Sequence, residues 1–434
     1  MSELLPKTPL QRWQLRTATG LFVGYSAYYL CRSNLAIAAP LLIREFGSRG
    51  LNKEVLGQIA SVGVLFYAAG KVANGILGDF LGGKRIFLLG MVGAVAATVV
   101  FGLGQGVGIF FAAWATNRLL QSMGWAGLVK TTANWFSYSS YGRIMGLLSL
   151  SYLVGDIVAK LALGQLLELG VGWRGIFGAA AAALAVVALY NWLSLADIPA
   201  NVGLEAPAAS PNSIFTTPHS SDEQPASVGA LLRPYFSSPA FLLMLLLSFG
   251  LTALREAFSF WVPTYLVEAA HLSESAASQY SALYSVFGMA SILGAGYISD
   301  AWLRGQRGPL IVLACLGLVP VLLLMTQPTH TTWQPLALIA LTGLLLLGPY
   351  SFLAGAMALD VGGRQGAATA AGLIDAVGYA GGTGALWLTG ALAEHQGWGA
   401  AFLALAVLAM VTAGAALLFY YTQERQPKRK LAMA

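Results

Sequence analysis

The sequence predicts an all-α membrane protein: twelve transmembrane helices in two pseudo-symmetric six-helix halves. Three observations predict it. Of 434 residues, 57% are hydrophobic and only 10% charged, against about 25% charged in an ordinary soluble domain. Apolar stretches near the roughly 20 residues that a spanning helix needs recur along the whole chain. Arg32 and Pro40, inside the first such stretch, are matched by Arg255 and Pro263, each pair 223 residues apart.

Taken in order, the first span covers 16–43. The segment before it, MSELLPKTPLQRWQLRTATG, carries Lys7, Arg12 and Arg16 but no short apolar core with a small-residue cleavage site. It is not expected to be a removable signal peptide, so the first helix directs insertion. Spans at 54–79, 85–106, 108–133, 142–168 and 174–195 complete a first half. Residues 197–234 are rich in proline and serine, include Asp222 and Glu223, and hold no long apolar run, which marks a linker. Spans at 238–268, 276–301, 309–327, 334–358, 366–392 and 398–421 follow. The expected division is 1–196 for the N-terminal half, 197–236 for a cytoplasmic linker and 237–434 for the C-terminal half.

The net charge of +6 is explained by loops, not by nucleic acid. With the N-terminus inside, Lys7, Arg12, Arg16, Lys84, Arg85, Arg143, Arg233, Arg304, Arg307, Arg364 and the basic tail fall inside; Arg44, Arg49, Lys53 and Arg174 fall outside. Both termini are therefore expected in the cytoplasm. Cys31 and Cys315 lie in separate apolar segments, without metal or CxxC spacing, so neither a disulfide scaffold nor a cysteine metal site is expected. No cofactor is expected either.

Arg32 sits mid-span in GYSAYYLCRSNLAIAAPLL, and Arg255 mid-span in LTALREAFSFWVPTYL. A lone arginine at the bilayer centre costs about 2.5–3.5 kcal/mol on insertion scales, so it faces a polar interior and has a task there. A guanidinium offers a planar fork of donors that fits phosphate oxygens and stays charged at any physiological pH. Two of them can clamp one dianion; the alternative is that each pairs with a carboxylate to hold helices together. Lys71 lies four residues after Tyr67, on one helical face, with snorkelling to an interface as its plainer reading. Tyr28 and Tyr29, one turn before Arg32, are candidates to donate to phosphate or sugar oxygens, or simply to pack. Asp156 and Lys160, also four apart, read as an internal ion pair. Gly378, Gly381, Gly382 and Gly384 are expected to permit close helix contact or bending.

The halves correspond beyond the arginines. GILGDFLGGKR, with Gly75, Asp79, Lys84 and Arg85, has a later counterpart in GYISDAWLRGQR, with Gly296, Asp300, Arg304 and Arg307. Trp173 and Trp398, each after a glycine, open the last span of each half. Like-oriented six-helix repeats with sites near the midplane are a transporter arrangement. The run from Gly75 to Arg85 is not GxxxxGK[ST] and follows no strand, which excludes a nucleotide cradle.

At these residues the chain resembles the major facilitator superfamily, whose signature Gly-x-x-x-Asp-x-x-x-Gly-x-Lys/Arg is matched by Gly75, Asp79, Gly83 and Arg85. It resembles more narrowly the organophosphate:phosphate antiporters, the glycerol-3-phosphate and hexose-6-phosphate exchangers. The matching stretches are YYLCRSNLAIAAP, YAAGKVANGILGD, QSMGWAGLVKTTANWF, WVPTYL, GYISDAWLRGQRG and GAATAAGLIDAVGYAGG. The resemblance implies a central site formed by Arg32 and Arg255, with Tyr67 and Lys71 near the cargo. It also implies that Asp79, Arg85, Asp300 and Arg304 stabilise carrier states at the cytoplasmic helix ends. Tyr152 stands where the glycerol-3-phosphate exchanger has a pocket histidine. Glu256 and Asp375 are carboxylates those exchangers lack, and Asp375 lies 223 residues after Tyr152. Each carboxylate can neutralise an arginine, carry a proton, or receive a cationic or hydroxyl-rich part of the cargo. Arg118, in RLLQSMG, is similar to the span-four arginine motif of proton-driven members.

The expected activity is exchange of a phosphorylated small organic metabolite for inorganic phosphate by alternating access. The rivals are proton-coupled uptake of an organic anion and a transporter-like membrane sensor of sugar phosphates. No triad or metal-ligand pattern suggests an enzyme. The expected setting is a bacterial inner membrane, with the protein a monomer whose partners are its phosphorylated cargo, inorganic phosphate and lipid.

Overall fold

The computed structural model describes residues 8–205, 235–303, 306–328, 331–353 and 357–425. Side chains are described for all of these except 75, 76, 79, 138, 139, 141, 142, 300 and 359–369. The fold is all-α. Fourteen α-helices of ten residues or more are found among the described residues: α1 (Pro9–Tyr28), α2 (Leu30–Phe46), α3 (Lys53–Leu81), α4 (Gly83–Leu103), α5 (Val107–Trp135), α6 (Tyr138–Ser149), α7 (Ser151–Glu168), α8 (Trp173–Ser194), α9 (Pro239–Glu268), α10 (Glu274–Ala301), α11 (Gly308–Met325), α12 (Trp333–Phe352), α13 (Ala358–His395) and α14 (Trp398–Phe419). Helices α1 and α2 are the two parts of the first expected span, and α6 and α7 of the fifth. The fourteen helices therefore make twelve spans.

Local chemistry starts several of them. Thr8 caps α1 through a reciprocal pair with Gln11, and Pro9 at the first helical position has no N–H to leave unsatisfied. Ser238 and Ser273 accept from the Phe241 and Ala276 amides to open α9 and α10. Nine helices among the described residues are long and apolar enough to cross a membrane. The broken first span, α5 and α13 are not among them; Arg32 interrupts the first, and Asn117, Arg118, Gln121 and Lys130 interrupt α5.

Two compact units divide the chain: Met1–Arg49 with Val62–Asp222, and Gly50–Ser61 with Glu223–Ala434. In the first, α4 packs on α5 and α8, and the α1–α2 span lies against α7 and α8. In the second, α9 packs on α13 and α14, α10 on α12, and α11 on α14. The first turns of α3 belong to the second unit through specific ties. Lys53 Nζ lies 2.9 Å from Glu268, its amide donates to Glu394, and Ser61 Oγ donates to the Thr383 carbonyl at 2.7 Å. Glu54 faces His395 at 2.9 Å.

The internal repeat is visible inside each unit separately. Trp173 Nε1 donates to Glu45 at 2.6 Å and Trp398 Nε1 to Glu268 at 2.9 Å, and the two glutamates are 223 residues apart. Ser26 Oγ donates to the Ser151 carbonyl at 2.9 Å and Ser248 Oγ to the Ile374 carbonyl at 2.8 Å; these acceptors are also 223 apart. Each unit thus joins its first span to its last at one end, and to its fifth near the middle, by equivalent bonds. Arg174 strengthens the first unit's end tie at 2.6 Å. Its hydrogen bond is the main reason the Glu45 carboxyl is held below its ordinary pKa, so this tie persists above the ordinary carboxylate range and opens as pH falls below it.

Replacing Trp173 or Trp398 with phenylalanine removes one charge-assisted hydrogen bond and keeps the ring. Each substitution is expected to cost about 1.5–3 kcal/mol, read as a fall in apparent Tm of the purified protein in detergent. An unchanged Tm in both would show that these bonds do not hold the first and last spans together within each unit.

Candidate anion site

The first span breaks at Tyr29, between α1 and α2. There Tyr29 N donates to Ser26 O and Arg32 N to Tyr29 O, both at 3.1 Å, a tighter i→i−3 pattern that swings the chain before the helix resumes. The fifth span breaks likewise at Leu150, whose amide donates to Leu147 O. The two breaks lie together. Besides the Ser26–Ser151 bond, a β-carbon at Gly155 would run into the Ser26 carbonyl, so only glycine allows the approach.

One turn past the break, half-buried Arg32 lies over two rings, its guanidinium carbon 4.5 Å from the centre of Tyr67 and 5.1 Å from that of Tyr29. Tyr67 is buried, and its hydroxyl oxygen accepts from Arg32 and Tyr25. Lys71 Nζ stands 5.8 Å from the same ring centre and Arg118 Cζ 4.8 Å. Three cations thus share one tyrosine. A desolvated cation–π contact contributes up to about 2 kcal/mol, so two rings offset much of the roughly 2.5–3.5 kcal/mol cost of placing Arg32 in a span. Tyr152 flanks the group, 6.2 Å from Tyr29 between ring centres.

Next to Arg32, Ser33 Oγ donates to Asp156 at 2.6 Å, and Asp156 pairs with Lys160 at 2.8 Å. The expected ion pair is present, with the Lys160 side chain 1% exposed, and it also ties the first span to the fifth. On the other side, Gln121 Nε2 donates to the Cys31 carbonyl at 2.9 Å and to Asn117, which donates to Thr98. These bonds fix α2, and with it Arg32, against α5 and α4.

Tyr28 is placed differently from its neighbour. Its hydroxyl donates to the Phe87 carbonyl at 2.6 Å, its ring meets Phe87 edge-on, and it fills the space left by Gly90 and Gly124. Successive helical residues point about 100° apart; Tyr29 is turned toward Arg32 and Tyr28 toward the α4–α5 packing.

In the second unit Arg255, 8% exposed, forms an ion pair with Glu256 and lies 4.5 Å from the Tyr350 ring centre. Glu256 packs against Gly382, while Gly378 and Gly381 meet Ser248, Thr252 and the Phe249 backbone. The expectation of close contact holds for these three glycines and not for Gly384, which faces open space. Half-buried Asp375 directly follows the carbonyl that accepts from Ser248, the register position that Tyr152 holds in the first unit. Tyr350 was not singled out from the sequence: it sits in an apolar span and has no tyrosine 223 residues earlier. Tyr25 and Arg118 joined the site only once the fold placed them beside Tyr67.

Among the residues expected to stabilise carrier states, the Asp79 and Asp300 side chains and Arg304 lie outside the described residues, and Arg85 is exposed. Lys84 shows the expected chemistry instead. Its Nζ donates to the Trp192 and Leu195 carbonyls at the C-terminal end of α8, at 2.8 and 2.6 Å, where the helix dipole favours a cation. Asp197 accepts from the Lys84 amide at 2.9 Å and so caps α4.

Losing one partner of the buried pair should be worse than losing both. Asp156→Asn is expected to destabilise by about 3 kcal/mol or more, and the double change Asp156→Asn with Lys160→Met to recover most of that, measured as apparent Tm. Equal loss in single and double variants would show that the pair contributes nothing as a pair.

The sequence profile described as Major Facilitator Superfamily matches residues 21–386. The chain is 27% identical over 428 residues to a "Probable hexose phosphate transport protein" of Chlamydia muridarum, covering 96% of this chain and 92% of that one. It is 27% identical over 407 residues to the "Glycerol-3-phosphate transporter" of Bacillus subtilis, covering 91% and 89%. Among solved structures it is similar to a bacterial homolog of the human lysosomal transporter Spinster, with a TM-score of 0.75 at 16% identity, covering 96% of this chain and 98% of that one. At that identity the likeness shows the fold alone.

Proposed function

The chain belongs to the Major Facilitator Superfamily and is a multi-pass secondary transporter, not an enzyme; from that premise we propose that it exchanges a phosphorylated small organic metabolite for inorganic phosphate. The observation that carries this reading is the cation-rich tyrosine cluster, in which Arg32 and Lys71 meet at Tyr67. Arg255, its repeat counterpart, is likewise set on a tyrosine. The names of the two sequence relatives, a hexose phosphate and a glycerol-3-phosphate carrier, support the same cargo class.

In this reading Arg32 and Arg255 bind one phosphoryl group, each through paired N–H donors, with Tyr67, Tyr29 and Lys71 completing the donor set. Tyr152 and Asp375 hold equivalent repeat positions and serve the organic part of the cargo. Tyr28 holds the helices instead. A bound anion relieves the mutual repulsion of the cations and lets the carrier change state; without cargo that change is disfavoured. The setting is a bacterial inner membrane, the termini face the cytoplasm and a single copy suffices.

Glu256 modifies this picture. It already neutralises Arg255, so an arriving phosphoryl group has to displace it. That pair also favours a second reading, in which Glu256 takes a proton as the anion takes its place and transport is proton-coupled. Uptake of radiolabelled phosphate into proteoliposomes separates the two. Exchange predicts uptake only when phosphate or an organophosphate is inside, with little response to a pH gradient; uptake into empty vesicles driven by the gradient would contradict it.

Arg32→Lys and Arg255→Lys are each expected to lower the exchange rate at least 100-fold while the protein remains in the membrane, since an ammonium cannot supply the two-pronged contact. Near-wild-type exchange in either variant would remove that residue from the site. Glu256→Gln should lower the half-saturating phosphate concentration several-fold, because the competing carboxylate is gone; a higher value would mean that Glu256 assists binding.

A further inference from the structure

Within the first unit, the apolar surface between α4 and α8 is hollowed. Leu88, Val92 and Val95 of α4 and Ala185, Leu189 and Trp192 of α8 line an open groove of about 330 Å³. Lys84, in the first turn of α4, bonds the carbonyls that end α8, so the two helices are antiparallel. The groove follows them from Leu88 to Val95, about 10 Å at a rise of 1.5 Å per residue. Ala185 is exposed and leaves the room that a larger side chain would take, while Val92, Leu189 and Trp192 turn their apolar surface outward. In a multi-pass membrane protein such a slot meets lipid, and its walls fit a hydrocarbon chain.

One end of the groove is basic. Lys84 Nζ donates to the Trp192 and Leu195 carbonyls, and Arg16 to the Leu193 carbonyl at 3.3 Å, which sets both side chains at the last turn of α8, beside Trp192. Exposed Arg85 precedes Leu88 by three residues and Val92 by seven, on the face of α4 that forms the groove wall. Helical side chains lean toward the N-terminus, so Arg85 extends past the end of the groove, not into it. Asp197 is the carboxylate bonded here, accepting from the Lys84 amide at 2.9 Å, and three cations outweigh it. An apolar slot that runs into a cluster of cations matches a molecule with a hydrocarbon chain and a phosphate. The net charge selects among such molecules, because a choline or ethanolamine ammonium would be repelled where a second anion or a neutral glycerol would not.

We propose that this groove binds one anionic phospholipid of the phosphatidylglycerol type, with an acyl chain between α4 and α8 and the phosphate at Arg16 and Arg85. Lys84, engaged by the α8 carbonyls, adds charge more than contact. Trp192 lies where chain meets head group, the depth at which an indole ring is favoured. The site is separate from the cluster at Tyr67 and does not depend on which cargo the protein carries.

Bromine on an acyl chain quenches a tryptophan it touches, so Trp192 reports on occupancy directly. The experiment reconstitutes the protein in phosphatidylcholine vesicles with a minor fraction of dibrominated phosphatidylglycerol, or with the same fraction of dibrominated phosphatidylcholine. Subtracting the signal of Trp192→Phe isolates Trp192 from the other tryptophans. In the wild type, quenching of Trp192 is expected to be at least threefold stronger with the brominated phosphatidylglycerol. The preference should fall to about one in the double variant Arg16→Gln with Arg85→Gln. It should also fall in Ala185→Leu, which fills the groove from an exposed position and keeps every charge. Equal quenching by the two lipids in the wild type would mean an ordinary lipid boundary and overturn the proposal. An unchanged preference in the double variant would overturn the head-group assignment, and an unchanged preference in Ala185→Leu the groove assignment. If the double variant does not fold, raising the salt concentration around the wild type replaces it: the preference should shrink as the charges are screened, and a preference indifferent to salt would overturn the part given to the arginines.

Discussion

A guanidinium cannot be left among lipid-spanning helices without company, and the company that Arg32 keeps organises the first unit. Its charge lies on the faces of Tyr67 and Tyr29, and Tyr29 reaches that place because the helix breaks there. The break is in turn held by the fifth span, through Ser26, Ser151 and the bare backbone of Gly155. The neighbouring Asp156–Lys160 pair ties the same two spans through Ser33 while adding no net charge. The polar machinery is thus built from paired and stacked groups, and the basic cluster at Tyr67 is the proposed place for an anion.

The second unit uses the same frame for different chemistry. Its first and last spans meet through Glu268 and Trp398 as Glu45 and Trp173 do in the first, and its serine tie to the fifth span falls at the same register. Arg255, however, has Glu256 beside it and a single ring, Tyr350, beneath it. Asp375 replaces the aromatic that the first unit carries as Tyr152. Duplication preserved the bonds that hold spans together and let the groups between them diverge, so the first copy gathers cations around Tyr67 and the second sets a carboxylate beside its arginine.

Much of this was legible in the sequence. The mid-span arginines, the 223-residue offset and the twelve apolar stretches report physical costs that any membrane chain meets, so they show without coordinates. The helix breaks at Tyr29 and Leu150 were not legible, because neither sits at a proline or glycine; they follow from ties to a neighbouring span. Tyr28 and Tyr29 looked equivalent as letters, and only the packing of α4 and α5 separates them. Tyr350 carried no repeat signal at all. Lys84 stood out only as a basic residue after Asp79, and its partner Asp197, just beyond α8, could not be paired with it before the fold brought them together.

The central claim is that Arg32 and Arg255 hold the same anion. Arsenate has the geometry of phosphate and a heavy atom that anomalous diffraction locates directly, so crystals of the protein grown with arsenate provide the most direct test. The account predicts one arsenic position whose oxygens lie about 3 Å from guanidinium nitrogens of both arginines. An arsenic site that touches neither of them, or separate sites for each, would contradict it.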